Sequence, residues 1–327
     1  MPIASVIVPA FNVARTIAET LDALTAQTFT DLEIIIVDDG STDDTLDVVR
    51  PYLSDDRVRV VSQPNRGLAG ARNSGIAAST GQFVGFCDAD DVWEPNKLDA
   101  HVDHLQRNAA VGVSYSGSAL FDDDGNPLRT EQRPRLTQVD TAHILKRNPI
   151  GNGSAPVIRR AVLDQIAYRP AHETERDWYF DETFRQSEDL ECWLRISLTT
   201  DWQFEGVEGL LTRYRISSGA LSSNTDRQFE TWERVIKKLS HIDPQLFDRH
   251  APAARAYQYR YLSRRAIRDL DAKRARVLLS QSFSSSLRPL VEEPTKTIVT
   301  LIACGVMSMG GALALSVLFA SKDRRNA

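Results

Sequence analysis

The chain is poor in the residues that usually announce a metal centre or a disulfide scaffold. It has three cysteines, Cys87, Cys192 and Cys304, an odd and scattered set with neither metal nor disulfide spacing. A disulfide framework is therefore excluded, and the set suits a reducing compartment. The six histidines, His101, His104, His143, His172, His241 and His250, show no zinc spacing beyond the pair at 101 and 104. No GxGxxG follows a strand-like run, which disfavours a Rossmann dinucleotide site, and neither GxxxxGK[ST] nor GxSxG occurs. The first ten residues lack the charged start and long apolar stretch of a secretion signal, so the chain is expected to begin folding in the cytosol. Internal repeats and low-complexity linkers are also missing.

What is present is the balance of an ordinary globular protein of about two domains: 327 residues, 42% hydrophobic and 25% charged. The net charge of −5 is unevenly spread. Residues 1–248 hold 25 Lys and Arg against 39 Asp and Glu, whereas residues 249–276 hold 9 against 2. The acidic part argues against a nucleic-acid groove. The basic block carries Tyr257, Tyr259 and Tyr261 and precedes 25 consecutive uncharged residues, Thr297 to Ser321, bracketed by Lys296 and by Lys322, Arg324 and Arg325. That length matches a transmembrane helix over 297–321, with the basic block meeting anionic headgroups. Gly305, Gly310 and Gly311 would admit a neighbouring helix, although no strict GxxxG is present.

The soluble part reads as an α/β unit. Apolar runs at Ser5–Ala10, Leu32–Val37, Val58–Val61 and Gly81–Cys87 alternate with helical patterns, one carrying Ile17, Leu21 and Leu24 and another Leu46, Val48 and Val49 behind a cap at Ser41 or Thr42. Such strands predict a parallel sheet covered on both faces, with a ligand at its carboxyl edge. Beyond residue 110 the pattern predicts a strand at Val111–Leu120, a turn at Asp122–Pro127 and a loop at Asn148–Pro156. It further predicts helices near Ala161–Ile166 and Asp189–Thr199, a loop at Ser217–Asn224 and mostly helix from Arg227 to Gln281.

Two of the early strands end in carboxylates, Asp38-Asp39 and Asp88-Ala89-Asp90-Asp91. Acidic groups at strand ends suit a hard divalent cation and, through it, a diphosphate that they would otherwise repel. DxD triplets also occur at Asp122–Asp124, read as a solvated turn, and Asp269–Asp271, read as a helix surface. The segment Asn65–Gly75 is rich in small residues, which suits either a ligand's close approach or a tightly packed helix start, and its Arg72 can face an anion or a base. Glu188-Asp189 opens a helix, where acids either complement the dipole or aim a general base.

In order along residues 3–222, the segments Ser5–Asn12, Val37–Asp43, Arg66–Gly75, Asp88–Asp91, Glu188-Asp189 with Trp193 and Arg195, and Tyr214-Arg215 with Leu221-Ser222 resemble the inverting family 2 glycosyltransferases. That resemblance implies a GT-A fold: a Rossmann-like, mostly parallel nucleotide-binding sheet flanked by helices, here with a C-terminal helical extension. Its domains would be 1–225, divided near residue 110 into nucleotide-sugar and acceptor halves, then 226–295 and the span. It places Pro9 and Phe11 at the nucleotide with Phe11 against the base, Asp39 on the base with help from Arg72, Asp88 on the ribose or sugar, and Asp90 on Mg²⁺ or Mn²⁺. Asp189 would take the acceptor's proton. Relatives often carry a histidine two residues after the Tyr-Arg pair, where this chain has Ser217, so the metal would be held by Asp90, the diphosphate and water. The implied partners are a UDP- or dTDP-sugar, a glycan or lipid-linked acceptor and the cytoplasmic face of the cell membrane, with no nucleic acid. The competing readings are a catalytically silent membrane scaffold and a sugar-nucleotide nucleotidyltransferase. Residues 5–20 lack the Gly-rich signature and lysine of the latter.

Overall fold

The computed structural model describes residues 1–217 and 225–308. They fall into two compact units, Met1–Ile144 with Asn148–Ile242, and Leu145–Arg147 with the chain from Asp243 onward. In the first unit the elements follow as β1 (Ala4–Ala10), α1 (Ile17–Thr25), β2 (Leu32–Asp38), α2 (Thr45–Val49), β3 (Val58–Ser62), α3 (Gly67–Ala78), β4 (Phe83–Phe86), β5 (Val92–Trp93) and α4 (Lys97–Arg107). They continue with β6 (Val111–Phe121), β7 (Pro127–Gln132), α5 (Thr141–Lys146, its last two residues counted with the second unit), β8 (Val157–Arg159), α6 (Arg160–Ile166), α7 (Glu188–Thr199), β9 (Gln203–Arg215) and α8 (Thr225–Leu239). Among the described residues the strands form one nine-stranded sheet in the order β3-β2-β1-β4-β8-β6-β9-β5, with β7 against β6.

The first half follows the sequence pattern. β1 to β4 pair in parallel, and β1 and β4 are buried along their whole length, as the continuous apolar runs require. Pro9 sits near the end of a central strand without breaking it. The Cys87 amide donates to the carbonyl of Ile7 and the Asp39 amide to that of Ala10, so Pro9 faces the β4 side, where pairing stops at Ile7. The missing N–H therefore falls past the last rung, at the carboxyl edge. α3 lies close on this sheet because Gly75 faces Ile7, and a Cβ there would strike that side chain.

The second half departs from an all-parallel sheet. β8 runs antiparallel to β4 and β6, β5 antiparallel to β9 and β7 antiparallel to β6, while β6 and β9 are parallel. Of these, β6 fulfils the strand expected at Val111–Leu120, whereas β5, β7 and β8 are short and β9 mixes polar with apolar residues, so periodicity does not mark them. α2 begins only at Thr45, and neither Ser41 nor Thr42 caps it. Asp43 instead accepts from the Thr45 amide at 3.1 Å. Asp122 accepts from the amides of Asp124 and Asn126 in the expected turn, where Gly125 takes φ +83°.

The second unit is helical, with α9 (Pro244–Arg268), α10 (Ala272–Ser285), α11 (Arg288–Glu292) and α12 (Pro294–Ser308). Asp269–Asp271 is not a helix surface. It is the joint between α9 and α10, with Leu270 at φ +60° and Asp271 capping α10 through the Arg274 amide at 2.9 Å. α8, expected in the extension, belongs to the first unit, where Lys238 pairs with Asp181 and Glu191. Among the described residues no helix is long and apolar enough to cross a membrane. Of the expected span, residues 309–321 lie outside the described residues, as does most of the loop expected at Ser217–Asn224. From Thr297 to Met307 α12 packs on protein. Thr297, Thr300, Cys304 and Met307 are buried, the last two against Ala266, Ile267, Ala275 and Leu279, so lipid does not surround this stretch.

Candidate active site

The carboxyl edge of β1, β2 and β4 gathers most of the anticipated residues. Phe11 follows β1 and is 48% exposed, an aromatic face left open beyond the end of the strand. Asp39 follows β2 and is buried, its carboxylate closing the start of α3. It accepts from the Arg66 amide at 2.7 Å, the Gly67 amide at 2.8 Å and the Gln63 side chain at 2.6 Å. Gly67 takes φ +79° at this point, a conformation in which side chains are strained. The small-residue segment is therefore a packed helix start, with its positive dipole end held by Asp39.

Arg72, expected to face an anion or a base, lies inside, only 2% exposed. Nη2 donates to Asp88 at 2.9 Å and Nη1 to Glu188 at 2.8 Å, and the guanidinium lies over the rings of Phe86 and Phe180. Burial opposes its charge, but Asp88, Glu188 and Asp189 together hold it more firmly protonated than an ordinary arginine. One side chain of α3 thus ties the DxD segment after β4 to the first turn of α7. The sequence did not reveal this partnership, since Glu188 stands 116 positions from Arg72.

Asp189 sits beside this cluster, half-buried at the start of α7, with the Asn148 amide 3.4 Å from Oδ2. Burial raises its pKa above the ordinary aspartate value, with Arg72 opposing. Burial likewise raises Glu188, to about 7. Asp90 is raised to about 6, first by burial and then by the neighbouring Asp88. Asp123, from the turn between β6 and β7, also acts on Asp90 electrostatically, and the Ser217 hydroxyl donates to Asp123. Ser217 therefore reaches Asp90's surroundings through a second carboxylate. Asp88, Asp90, Asp189 and Arg72 form one continuous electrostatic group. Asp39 holds the first residue of the helix that carries Arg72.

The backbone of the DxD turn is braced by residues to which the sequence assigned no role. The Ser154 hydroxyl accepts from the Asp88 amide at 2.9 Å and donates to Asp91 at 2.5 Å. Asp91 also accepts the Arg215 amide at 3.0 Å, and Arg215 Nε donates to the Asp90 carbonyl at 2.9 Å. Beneath them lies a fully buried Lys97. It donates to the Ala155 carbonyl at 2.8 Å and to Thr212 at 3.0 Å, and burial lowers its pKa to about 7. The third aspartate of the run and the Tyr-Arg pair were the available signals for this brace.

Residues 5–167 match the sequence model of Glycosyl transferase family 2. A glycosyltransferase of Nostoc sp. without known function is 37% identical over 174 residues, covering 50% of this chain and 52% of its own length, so the chain spans about half of that relative. The Bacillus subtilis (strain 168) glycosyltransferase TuaG, named for a provisional place in teichuronic acid biosynthesis, is 31% identical over 244 residues, 73% of this chain and 90% of that protein. Among solved structures, residues 1–349 of S. aureus TarS in complex with UDP-GlcNAc superpose with a TM-score of 0.60 at 19% identity, covering 94% and 92% of the two chains. The mannosyltransferase PcManGT from Pyrobaculum calidifontis, in complex with GDP-Man and Mn²⁺, superposes with a TM-score of 0.51 at 20% identity, covering 94% and 87%.

Proposed function

Because the chain belongs to glycosyl transferase family 2 and has the GT-A fold, we propose that it transfers a sugar from a UDP- or dTDP-sugar to an acceptor hydroxyl with inversion at the anomeric carbon. The observation that carries this reading is the Arg72 bridge, which sets the DxD segment beside Asp189. Leaving-group chemistry and proton removal then sit on opposite ends of one rigid ion-paired unit.

Phe11 offers the base an exposed ring, and Pro9 leaves the strand edge open where the nucleotide would lie. Asp39 keeps the start of α3 in place and has a lone pair on Oδ2 left for a base N–H. Asp88, with Oδ1 engaged by Arg72, presents Oδ2 to ribose or sugar hydroxyls. The donor atoms suit Mg²⁺ or Mn²⁺, because the carboxylates at the turn are all hard oxygens. Asp90 would hold the cation, which would complete its shell with diphosphate oxygens and water; among the described residues no three His, Cys, Asp or Glu side chains cluster as a metal cage. When bound, the cation neutralises charge that develops on the departing diphosphate. Asp189, its basicity increased by burial, accepts the proton of the attacking hydroxyl on the face opposite the diphosphate. A single displacement of this kind inverts the anomeric centre.

The acceptor is proposed to be a growing cell-envelope polysaccharide or glycolipid, supported by TuaG's name. Association with the cytoplasmic membrane face follows from the basic, then uncharged, C-terminal sequence. The test is a donor panel incubated with the purified chain, with and without EDTA. Cation-dependent release of UDP or dTDP from one member supports the reading. Release from none, together with no nucleotide binding, would leave the silent scaffold instead.

A further inference from the structure

We propose that the outward face of α12 docks into the headgroup boundary of an anionic lipid bilayer, a proposal that rests on the membrane association given above and names the surface responsible. The helix is built the wrong way round for a surface that faces water. Its inward face presents Thr297, Thr300, Cys304 and Met307, two of them hydroxyl residues. Thr297 accepts from Arg260 at 2.7 Å and donates to the Pro289 carbonyl at 2.6 Å, and Thr300 bonds back to the Lys296 carbonyl at 2.7 Å. The branched aliphatic residues Ile298, Val299, Leu301 and Ile302 point the other way. Val299 is 60% and Ile302 61% exposed, and beside Gly305 there is open space. Leu287 and Val291, flanking and within α11, are exposed as well. An amphipathic helix in a water-soluble unit turns such residues inward, and a contiguous exposed apolar stripe marks a surface made to be covered.

Charge selects the occupant. Lys296 and Arg288 are exposed at the edge of the stripe. The nearby acids are neutralised within the unit: Glu293 pairs with Arg147, Arg260 and Lys296, and Glu292 with Tyr257, Lys146 and Arg288. The same unit carries the block in which nine Lys and Arg face two Asp over residues 249–276. A second copy of this surface would bring cations against cations, whereas anionic headgroups would be attracted to them. Apolar residues flanked by cations are the arrangement of a helix that lies in the bilayer interface. That position also agrees with a helix whose inner face stays on protein as far as Met307.

The test uses the full chain bearing a polarity-sensitive thiol fluorophore at Val299→Cys or Ile302→Cys, with the exposed Leu46→Cys of α2 as control. Cys87, Cys192 and Cys304 are buried and escape labelling. Unlabelled wild-type protein is first floated with phosphatidylcholine vesicles with and without phosphatidylglycerol. The expected result is flotation with the anionic vesicles, with blue-shifted emission and quenching by acyl-chain nitroxides at 299 and 302 but not at 46. Flotation with unquenched probes at 299 and 302 would overturn the α12 proposal while leaving membrane association standing. No flotation would remove both. A shift at 299 and 302 that grows with protein concentration in the absence of vesicles would assign the face to a second copy and overturn the proposal.

Discussion

Asp189 and Arg72 show how much a single side chain can be asked to do here. If Asp189 is the base, Asp189→Asn removes the proton acceptor while preserving shape, and transfer falls about 10²–10⁴-fold with nucleoside-diphosphate affinity unchanged. Wild-type turnover in that variant would take the role away from Asp189. The pH dependence carries the same sign: protonated Asp189 cannot accept a proton, and burial has raised its pKa. The rate should therefore fall as pH drops through a value above the ordinary aspartate range, and a profile flat into that range would contradict the assignment. Arg72 acts through its partners. Arg72→Ala leaves Asp88 and Glu188 without their buried counter-charge. Breaking such a pair costs about 3–5 kcal/mol, to be read from urea unfolding. A loss below about 1 kcal/mol, as at an exposed pair, would mean that the bridge is not the strut described above.

At the scale of elements, the site is a joint between segments distant in the chain. The loop before β8 and the end of β9 meet the turn after β4 through Ser154 and Arg215. Ser154→Ala strips the Asp88 amide and Asp91 of a shared partner. It should weaken Mn²⁺-dependent binding of UDP measured by calorimetry, with Ser154→Thr restoring part of it. Equal affinity in the alanine variant would show that the turn holds its shape unaided. The legibility of the elements follows from the same physics. β1, β2 and β4 were readable because a strand covered on both faces is a continuous apolar run, and Ile17, Leu21 and Leu24 because one helix face is buried. β5, β7 and β8 were not, being two to six residues long and paired antiparallel to their neighbours. Site residues were readable where several acids follow a strand. The Arg72 bridge was not, because what defines it is a neighbour brought in by folding.

At the scale of the whole molecule, the chain joins a GT-A unit to a helical unit with a basic surface and an outward apolar stripe. The account of the first unit rests on acids at the strand ends binding an activated sugar through a divalent cation. Isothermal titration of the intact chain with UDP, dTDP and GDP, in Mn²⁺ and again in EDTA, tests this most directly. One nucleotide should bind in Mn²⁺ and lose its affinity in EDTA, and Asp90→Ala should behave in Mn²⁺ as the wild type does in EDTA. Binding of equal strength in EDTA, or an Asp90→Ala variant that keeps the full Mn²⁺ response, would contradict the account.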